Sequence, residues 1–244
     1  MAKVIVITGA GSGLGRALAR RFAAAGDTLV LLGRTLAKVQ TVAAALGGAA
    51  MAIECDVTSA DSVRAAFAAI AAVHPVIDVL INNAAIYEPL LVKEATDAQI
   101  LGAIMTNFAG PIFCCREAIP MMQKGAHIIN ISSESVHTGF PMFSMYQSTK
   151  AGLERFAEAL QKELADDGIR VTTVRAGQMY DEDASWNVDP ETARRFGEAC
   201  AKAGINPRTR PISHFNSVAE AFYMLANMPA DLQTPHISLE ARRA

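Results

Sequence analysis

The strongest constraint on the fold of this chain is its regular alternation of short apolar runs with segments of helical periodicity. Strands buried on both faces are continuously apolar, and strands connected by helices lie parallel in one sheet. We therefore predict the α/β class, with a doubly wound parallel sheet that carries helices on both faces. The predicted strands are Val4–Thr8, Leu29–Gly33, Met51–Cys55, Val76–Ile81, His127–Ile131 and Val171–Val174.

Glycines mark the ends of two predicted helices. One apolar stripe precedes Gly26 and a second precedes Gly168, as expected where a helix stops. The stripes consist of Leu14, Leu18, Phe22 and Ala25 and of Leu153, Phe156, Leu160 and Leu164. No linker divides the chain, so we predict one domain over residues 1–244. Within it, the polar segment 178–211 is interpreted as an irregular substrate-loop excursion or, alternatively, as a surface helix pair without a role.

The charge and cysteine content argue against several function classes. The formal net charge is −2, so no basic surplus favours binding to nucleic acid or to an anionic membrane. The uncharged segment Ala98–Cys115 is long enough for a membrane span, but Gln99 and Pro111 interrupt it, and we predict a buried or interface helix. The four cysteines show no Cys-x-x-Cys spacing, which indicates reduced thiols, a cytoplasmic location and no metal site.

A glycine-rich turn joins the first predicted strand to the first predicted helix, with the sequence Thr8-Gly-Ala-Gly-Ser-Gly-Leu-Gly15. Glycines allow backbone to approach a pyrophosphate closely, and a helix N-terminus attracts phosphate groups. The strict Gly-x-Gly-x-x-Gly spacing is absent because Leu14 takes the last glycine position, so a tight connection without a ligand is the alternative. The position of the turn inside a strand–helix–strand unit favours a Rossmann-type dinucleotide site.

The end of the second predicted strand indicates which dinucleotide is bound. An acidic residue there hydrogen-bonds the ribose 2′-hydroxyl of NAD, whereas an arginine accommodates the 2′-phosphate of NADP. The strand ends at Arg34, and no Asp or Glu occurs between Thr28 and Lys38. We therefore predict NADP(H) as the cofactor; a solvated loop arginine is the alternative.

Tyr146 and Lys150 form a candidate acid–base pair because residues four apart share one face of a helix. A free tyrosine has a pKa near 10, which is too high for proton transfer at neutral pH. A nearby ammonium lowers that pKa, so the phenol can exchange a proton with a substrate oxygen. Such a pair also arises by chance on helix surfaces, so its weight depends on the motifs around it.

Taken in order, the motifs of this chain resemble those of the short-chain dehydrogenase/reductase family. The resemblance covers residues 3–177 and includes its Thr-Gly-x-x-x-Gly-x-Gly, Asn-Asn-Ala-Gly and Tyr-x-x-x-Lys patterns. The matching residues are Thr8 to Gly15, Asp56-Val57, Asn82 to Ala85, Asn107, Ser132-Ser133 and Tyr146 to Lys150.

The resemblance implies a role for each matching residue. Tyr146 is the acid–base, Ser133 polarises the substrate oxygen, and Lys150 tunes Tyr146 and binds the nicotinamide ribose. Asn107 holds a water in a proton relay. The family's spacing between serine and tyrosine favours Ser133, and Ser132 is the alternative. The implied cofactor-binding residues are Gly9, Ser12, Gly13, Leu14, Gly15, Arg34, Asp56, Val57, Asn83, Tyr146 and Lys150.

Three positions depart from the family pattern and bear on the nicotinamide end of the site. Ala85 and Ala176 stand where the family has a glycine and a proline, and Asp181 replaces a threonine or serine. The family's substrate-pocket loop corresponds here to His137, Phe140, Met142 and Phe143. Its apolar content predicts a partly apolar substrate; ordinary packing is the alternative.

Together these observations predict an NADP-dependent oxidoreductase that moves a hydride between NADP(H) and the carbonyl or alcohol carbon of a small or medium substrate. One alternative is a catalytically idle NADP(H)-sensing protein, and another is an NAD-dependent alcohol dehydrogenase. The family's habit of pairing the helices around Ala98–Cys115 and Tyr146–Ala165 predicts a homodimer or homotetramer.

Overall fold

The computed structural model describes residues 2–48, 50–181, 186 and 188–242. Its strands are β1 (Val4–Thr8), β2 (Thr28–Gly33), β3 (Ala50–Glu54), β4 (Ile77–Asn82), β5 (Met122–Ser133), β6 (Arg170–Ala176), β7 (Met179–Tyr180), β8 (Ser213–His214) and β9 (His236–Leu239). Seven of them form a parallel sheet in the order β3-β2-β1-β4-β5-β6-β9. The predicted α/β class and doubly wound parallel sheet are confirmed.

Helices cover both faces of this sheet. They are α1 (Gly13–Ala24), α2 (Leu36–Ala45), α3 (Ala60–Ala71), α4 (Asp97–Ile104), α5 (Gly110–Ala118), α6 (Ser144–Glu163), α7 (Pro190–Lys202) and α8 (Phe215–Ala226). Successive residues of β1 enter different cores, since Ile5 and Ile7 pack with α1 and α8 while Val6 packs with α3 and α5. Two apolar faces on one strand explain why β1 is a continuous apolar run.

The predicted strands are all present, with ends that differ from the prediction by up to five residues. The sequence analysis missed β9, which pairs with β6 at the edge of the sheet. Its residues alternate between exposed and half-buried, so no continuous apolar run marks it. The predicted helix stop at Gly26 is confirmed, since α1 ends at Ala24 and Gly26 adopts the left-handed conformation with a φ of 85°. By contrast, α6 already ends at Glu163, and Gly168, with a φ of 67°, lies in the turn that follows.

The long uncharged segment forms α4, a π-helical turn at Met105–Ala109, and α5. The helical run Asp97–Met121 is long and apolar enough to cross a membrane, a property that core helices of globular proteins share, and 33% of its most apolar window is buried. It packs on α3, on α6 and on β4. It is therefore one layer of the fold with an apolar outer surface.

The excursion 178–211 is more regular than predicted. Its described part contains β7 and α7, and β7 pairs with β8 in a separate two-stranded sheet. Asp189 caps α7 by accepting a hydrogen bond from the amide of Thr192, and Pro190 occupies the first turn, where no amide is needed. The polar composition of α7 belongs to its solvent face, while Phe196 and Cys200 are buried.

Candidate active site

A cavity of about 710 Å³ opens at the carboxyl ends of the parallel strands. It spans β1 and β4, where the strand order reverses, which is the usual ligand position in such sheets. Most of the predicted site residues line it: Gly9, Ser12, Gly13, Leu14, Arg34, Asp56, Val57, Asn83, Ser133, Tyr146 and Lys150. Two others, Gly15 and Asn107, are buried and support the lining residues.

The glycine turn forms one end of the cavity. Gly9 and Gly13 have positive φ angles of 65° and 51°, a conformation that glycine adopts without strain. A Cβ at Gly15 would lie 2.4 Å from the carbonyl oxygen of Gly9, so this position has no room for a side chain. Ser12 begins α1 without a side-chain capping hydrogen bond, unlike Ser59 at the start of α3. The first-turn amides of α1 therefore suit phosphate oxygens.

Asn83 holds the glycine turn against the end of β4. Its side-chain Nδ2 donates to the carbonyl oxygens of Thr8 and Gly9 at 2.9 and 3.2 Å. In return, the Thr8 hydroxyl accepts hydrogen bonds from the backbone amides of Asn83 and Ala84, both at 3.0 Å. Asn83 thus stabilises the turn as well as lining the cavity.

The opposite side of the turn is positively charged. Arg34 and Lys38 are both exposed and line the cavity. Lys38 lies so close to the glycine turn that a Cβ added to Gly11 would be 2.9 Å from the Cβ of Lys38. Lys38 had no role in the sequence prediction; its place in the first turn of α2, close after Arg34, is the signal that could have identified it.

Asp56 closes this part of the site at the end of β3. Its Oδ1 accepts hydrogen bonds from the amide and the hydroxyl of Thr58 at 3.0 and 2.8 Å, a local turn that fixes the carboxylate. Val57 is buried beside it, and both residues line the cavity. Asp56 therefore offers a fixed carboxylate to the cavity, and Val57 offers an apolar wall.

Tyr146, Lys150 and Ser133 meet at the centre of the cavity. Lys150 Nζ lies 5.8 Å from the centre of the Tyr146 ring and donates a hydrogen bond to the carbonyl oxygen of Ile131 at 2.7 Å. This bond anchors α6 to β5 two residues before Ser133, whose hydroxyl hydrogen-bonds with Tyr146. The structure thus brings together the three side chains that the sequence analysis grouped.

Burial determines the pKa values of this group. It raises the pKa of Tyr146 to about 12, against a smaller lowering by the hydrogen bond with Ser133. It also lowers the pKa of Lys150 to about 8. The sequence predicted that the ammonium would pull the phenol pKa down. Here desolvation sets the direction instead, because Lys150 is buried and Tyr146 is half-buried in the cavity wall. At neutral pH the phenol is protonated and can donate its proton.

The two adjacent serines have different partners. The Ser132 hydroxyl donates to Glu154 Oε1 at 2.5 Å, and Glu154 is bound by the Arg175 guanidinium at 2.6 and 3.0 Å. Both serines line the cavity, but Ser132 is 2% exposed and its hydroxyl is engaged by Glu154, whereas Ser133 is half-buried. The geometry therefore favours Ser133 over Ser132 as the substrate-facing hydroxyl.

Asn107 lies in the π-helical turn and is fully buried. Its Oδ1 accepts from the amide of Ile86 and its Nδ2 donates to the carbonyl oxygen of the same residue, both at 2.8 Å. Nδ2 also donates to the Thr149 hydroxyl at 3.4 Å, directly before Lys150 in the chain. The side chain thus ties the loop after β4 to α6, and its part in a proton relay stays a prediction.

A family model for short chain dehydrogenases matches residues 3–191. The chain belongs to the short-chain dehydrogenase family. A 3β-hydroxysteroid dehydrogenase of Mediterraneibacter gnavus is 36% identical over 177 residues, 70% of this chain and 64% of that protein. A D-xylose 1-dehydrogenase of Caulobacter vibrioides is 32% identical over 240 residues, 96% of this chain and 92% of that protein. A solved short-chain dehydrogenase of Streptomyces avermitilis has a TM-score of 0.84 at 28% identity and covers 99% of this chain and 89% of that one.

The chain is thus an oxidoreductase of a family that binds a nicotinamide cofactor. The three residues of this short-chain dehydrogenase that depart from the family pattern, Ala85, Ala176 and Asp181, have different surroundings. Ala85 and Ala176 line the cavity. Asp181 instead pairs with Arg16 of α1 at 3.1 Å and fixes the end of β7, while Gln178 contributes to the cavity wall. Gln178 is a candidate polar contact that the sequence analysis missed.

The loop before Tyr146 divides between the cavity and the core of this dehydrogenase. Phe140 and Phe143 line the cavity, whereas Met142 is buried behind them. His137 lies instead beside a smaller cavity of about 180 Å³. Ring-bearing residues from elsewhere complete the same wall: Tyr87, Trp186 and Phe196. The expectation that this loop contributes to the main cavity holds for its two phenylalanines.

Proposed function

We propose that this short-chain dehydrogenase transfers a hydride between NADP(H) and the carbonyl or alcohol carbon of a small or medium, partly apolar substrate. The observation that carries the proposal is the meeting of Ser133, Tyr146 and Lys150 in the same cavity as the glycine turn. One cavity can therefore hold both a dinucleotide and a second molecule at the acid–base group.

The preference for NADP(H) is supported by the charge at the end of β2. Arg34 and Lys38 are exposed cations beside the glycine turn, in the place where a 2′-phosphate is bound in dinucleotide folds. No carboxylate that could pair with a ribose hydroxyl occurs in β2 or in the two cavity residues that follow it, Arg34 and Thr35. Arginine offers a planar pair of donors, which suits phosphate.

Each residue of the central group has a proposed task. When bound, the nicotinamide supplies or accepts the hydride. Tyr146 donates its proton to the substrate oxygen in reduction, and Ser133 hydrogen-bonds the same oxygen as charge develops there. Lys150 holds α6 against β5 and offers its ammonium to ribose hydroxyls. Asn107 positions the loop after β4 and the start of α6.

The proposal is tested by a screen of ketones, aldehydes and alcohols that follows NAD(P)H absorbance, with Tyr146→Phe as the decisive variant. The phenylalanine keeps the ring and removes the proton donor, so kcat should fall by at least about 10²–10⁴-fold. The affinity for NADPH should stay within a factor of a few. Equal turnover by the two proteins would exclude Tyr146 as the acid, and NADPH binding without turnover of any compound would indicate a sensing protein.

A further inference from the structure

A continuous series of aromatic rings forms the cavity wall next to Tyr146. We call it the aromatic slot; besides Tyr146 it consists of Tyr87, Phe143, Phe196 and Trp186. The Tyr146 ring centre lies 6.2 Å from that of Tyr87 and 5.6 Å from that of Phe143. Phe196 continues the series at 4.8 Å from Phe143 and 5.5 Å from Trp186. The acid–base group is thus itself one member of a ring-lined surface.

The slot is built from separate parts of the chain. Tyr87 follows β4, Phe143 directly precedes α6, Phe196 belongs to α7, and Trp186 lies in the excursion between β7 and α7. The four rings pack against their neighbours in the series and line one wall of the open cavity. Ordinary core packing would bury all four rings, but Tyr87 and Trp186 are exposed and Phe143 is half-buried; Phe196 is buried behind them and still lines the cavity.

The wall behind the rings is rigidly supported. Met142 is buried in a small apolar cluster with Phe196 and Cys200. It is also the one described non-glycine residue with a positive φ, 63°, and its carbonyl oxygen accepts a hydrogen bond from the amide of Leu90 at 2.8 Å. Strained backbone of this kind persists where the surrounding structure enforces it. The turn that presents Phe143 is therefore set before any substrate arrives.

We propose that the substrate of this site is a flat, ring-bearing ketone or the corresponding alcohol, of the size of a fused bicycle. Its ring packs against Phe143 and Phe196 while its oxygen reaches Ser133 and Tyr146. This substrate class rests on the proposed function. The rings of Phe143 and Phe196 favour offset or edge contacts with another ring, and they carry no polar atom that could replace water on a hydroxyl group. A polyhydroxylated substrate would leave several hydroxyls against these rings without such partners.

The experiment compares 2-tetralone with cyclohexanone in the NADPH-dependent reduction, and D-xylose with NADP⁺ in the oxidation. The two ketones present the same carbonyl in a six-membered ring, and only tetralone adds a fused benzene ring. Two ring–ring contacts correspond to a preference of about tenfold or more. We expect kcat/KM for tetralone to exceed that for cyclohexanone by at least this factor, and D-xylose to be the poorest of the three.

Variants locate the preference in the slot. Phe143→Leu and Phe196→Leu keep apolar side chains but remove the rings, and each should reduce the tetralone-to-cyclohexanone ratio toward one. Tyr223→Leu is the control, because it removes a ring outside the cavity. Tyr223 lies on α8, and its ring centre is 5.8 Å from that of Phe22 on α1. This control should leave the ratio unchanged.

A second measurement does not depend on turnover. Trp186 is the only tryptophan of the chain, so its fluorescence reports on the slot alone. Tetralone should change this fluorescence with saturation in the presence of NADP⁺, at concentrations where cyclohexanone does not. The substrate class is overturned by a tetralone-to-cyclohexanone ratio near one, by preferred oxidation of D-xylose, or by the absence of saturable tetralone binding. If these compounds react independently of Tyr146, the proposed function itself fails.

Discussion

At the scale of single residues, the proposed preference for NADP(H) rests on the positive charge of Arg34 at the end of β2. Arg34→Ala should weaken NADPH binding by about 10- to 150-fold, since a hydrogen bond to a charged group contributes about 1.5–3 kcal/mol. NADH binding should hardly change, because NADH has no 2′-phosphate. Titration calorimetry with both cofactors measures the difference.

A matched control for this substitution is Arg64→Ala. Arg64 lies on α3, half exposed and paired with Asp61, and does not line the cavity. The Arg64→Ala substitution removes the same charge outside the site, so the affinities for NADPH and NADH should match those of the original protein. The NADP(H) assignment does not survive if the unaltered protein binds NADH and NADPH equally well.

A second residue-scale prediction concerns Lys150 and pH. Its pKa is lowered by burial from 10.5 to about 8, so between these values the unfolded chain binds more protons than the folded one. Stability contributed by this group therefore rises with pH across that window, by about 3 kcal/mol in total. Urea unfolding at several pH values should show this rise in the original protein and not in Lys150→Met, which keeps the length of the side chain. Parallel curves for the two proteins would contradict the lowered pKa.

At the scale of elements, the turn between β1 and α1 depends on the absence of a side chain at Gly15. An alanine Cβ would lie 2.4 Å from the Gly9 carbonyl oxygen and 2.6 Å from Asn83 Nδ2. Gly15→Ala should therefore destabilise the protein by about 1–3 kcal/mol, as other overpacked sites do. NADPH binding should fall with it, because the turn is displaced.

Gly197→Ala provides the comparison for this prediction. Gly197 lies in α7, and no atom within 4 Å would meet its added Cβ. Alanine in an open helical position should raise stability by about 0.5–1 kcal/mol. Thermal unfolding followed by circular dichroism measures both variants, and similar shifts in Tm for the two would disprove the steric argument.

At the scale of the whole molecule, the outer surface of α4 and α5 predicts an oligomer. Leu101 of α4 is 58% exposed within a segment that carries no charge between Ala98 and Cys115. A self-complementary contact around a two-fold axis would cover this surface together with that of α6. We expect a dimer or tetramer in sedimentation velocity at micromolar concentration.

Leu101→Glu should shift that equilibrium toward the monomer, because it places a charge in the expected contact. Val73→Glu is the matched control: Val73 is also 58% exposed but follows α3 and lies outside the uncharged segment of α4 and α5. A monomer already present as the sole species before substitution would refute the prediction, and so would equal dissociation by both variants.

The sequence by itself determined the sheet and the central site residues. Strands buried on both faces must be continuously apolar, so runs such as Val4–Thr8 could be identified without tertiary information. The glycine turn and the pair Tyr146 and Lys150 were also visible in the sequence, but their identification depended on the order of several motifs, since each spacing alone also occurs by chance. By contrast, β9 escaped notice, since an edge strand with one exposed face lacks that apolar signal.

Only the tertiary structure decided how these residues act together. The tertiary fold pairs the Ser132 hydroxyl with Glu154, whereas Ser133 stays half-buried in the cavity wall. Burial in the fold also raises the pKa of the Tyr146 phenol. The fold also brought Tyr87 into one wall with Trp186 and Phe196, which lie far from it in the chain. Partners, burial and convergence depend on contacts between distant segments, and no local pattern in the sequence specifies them.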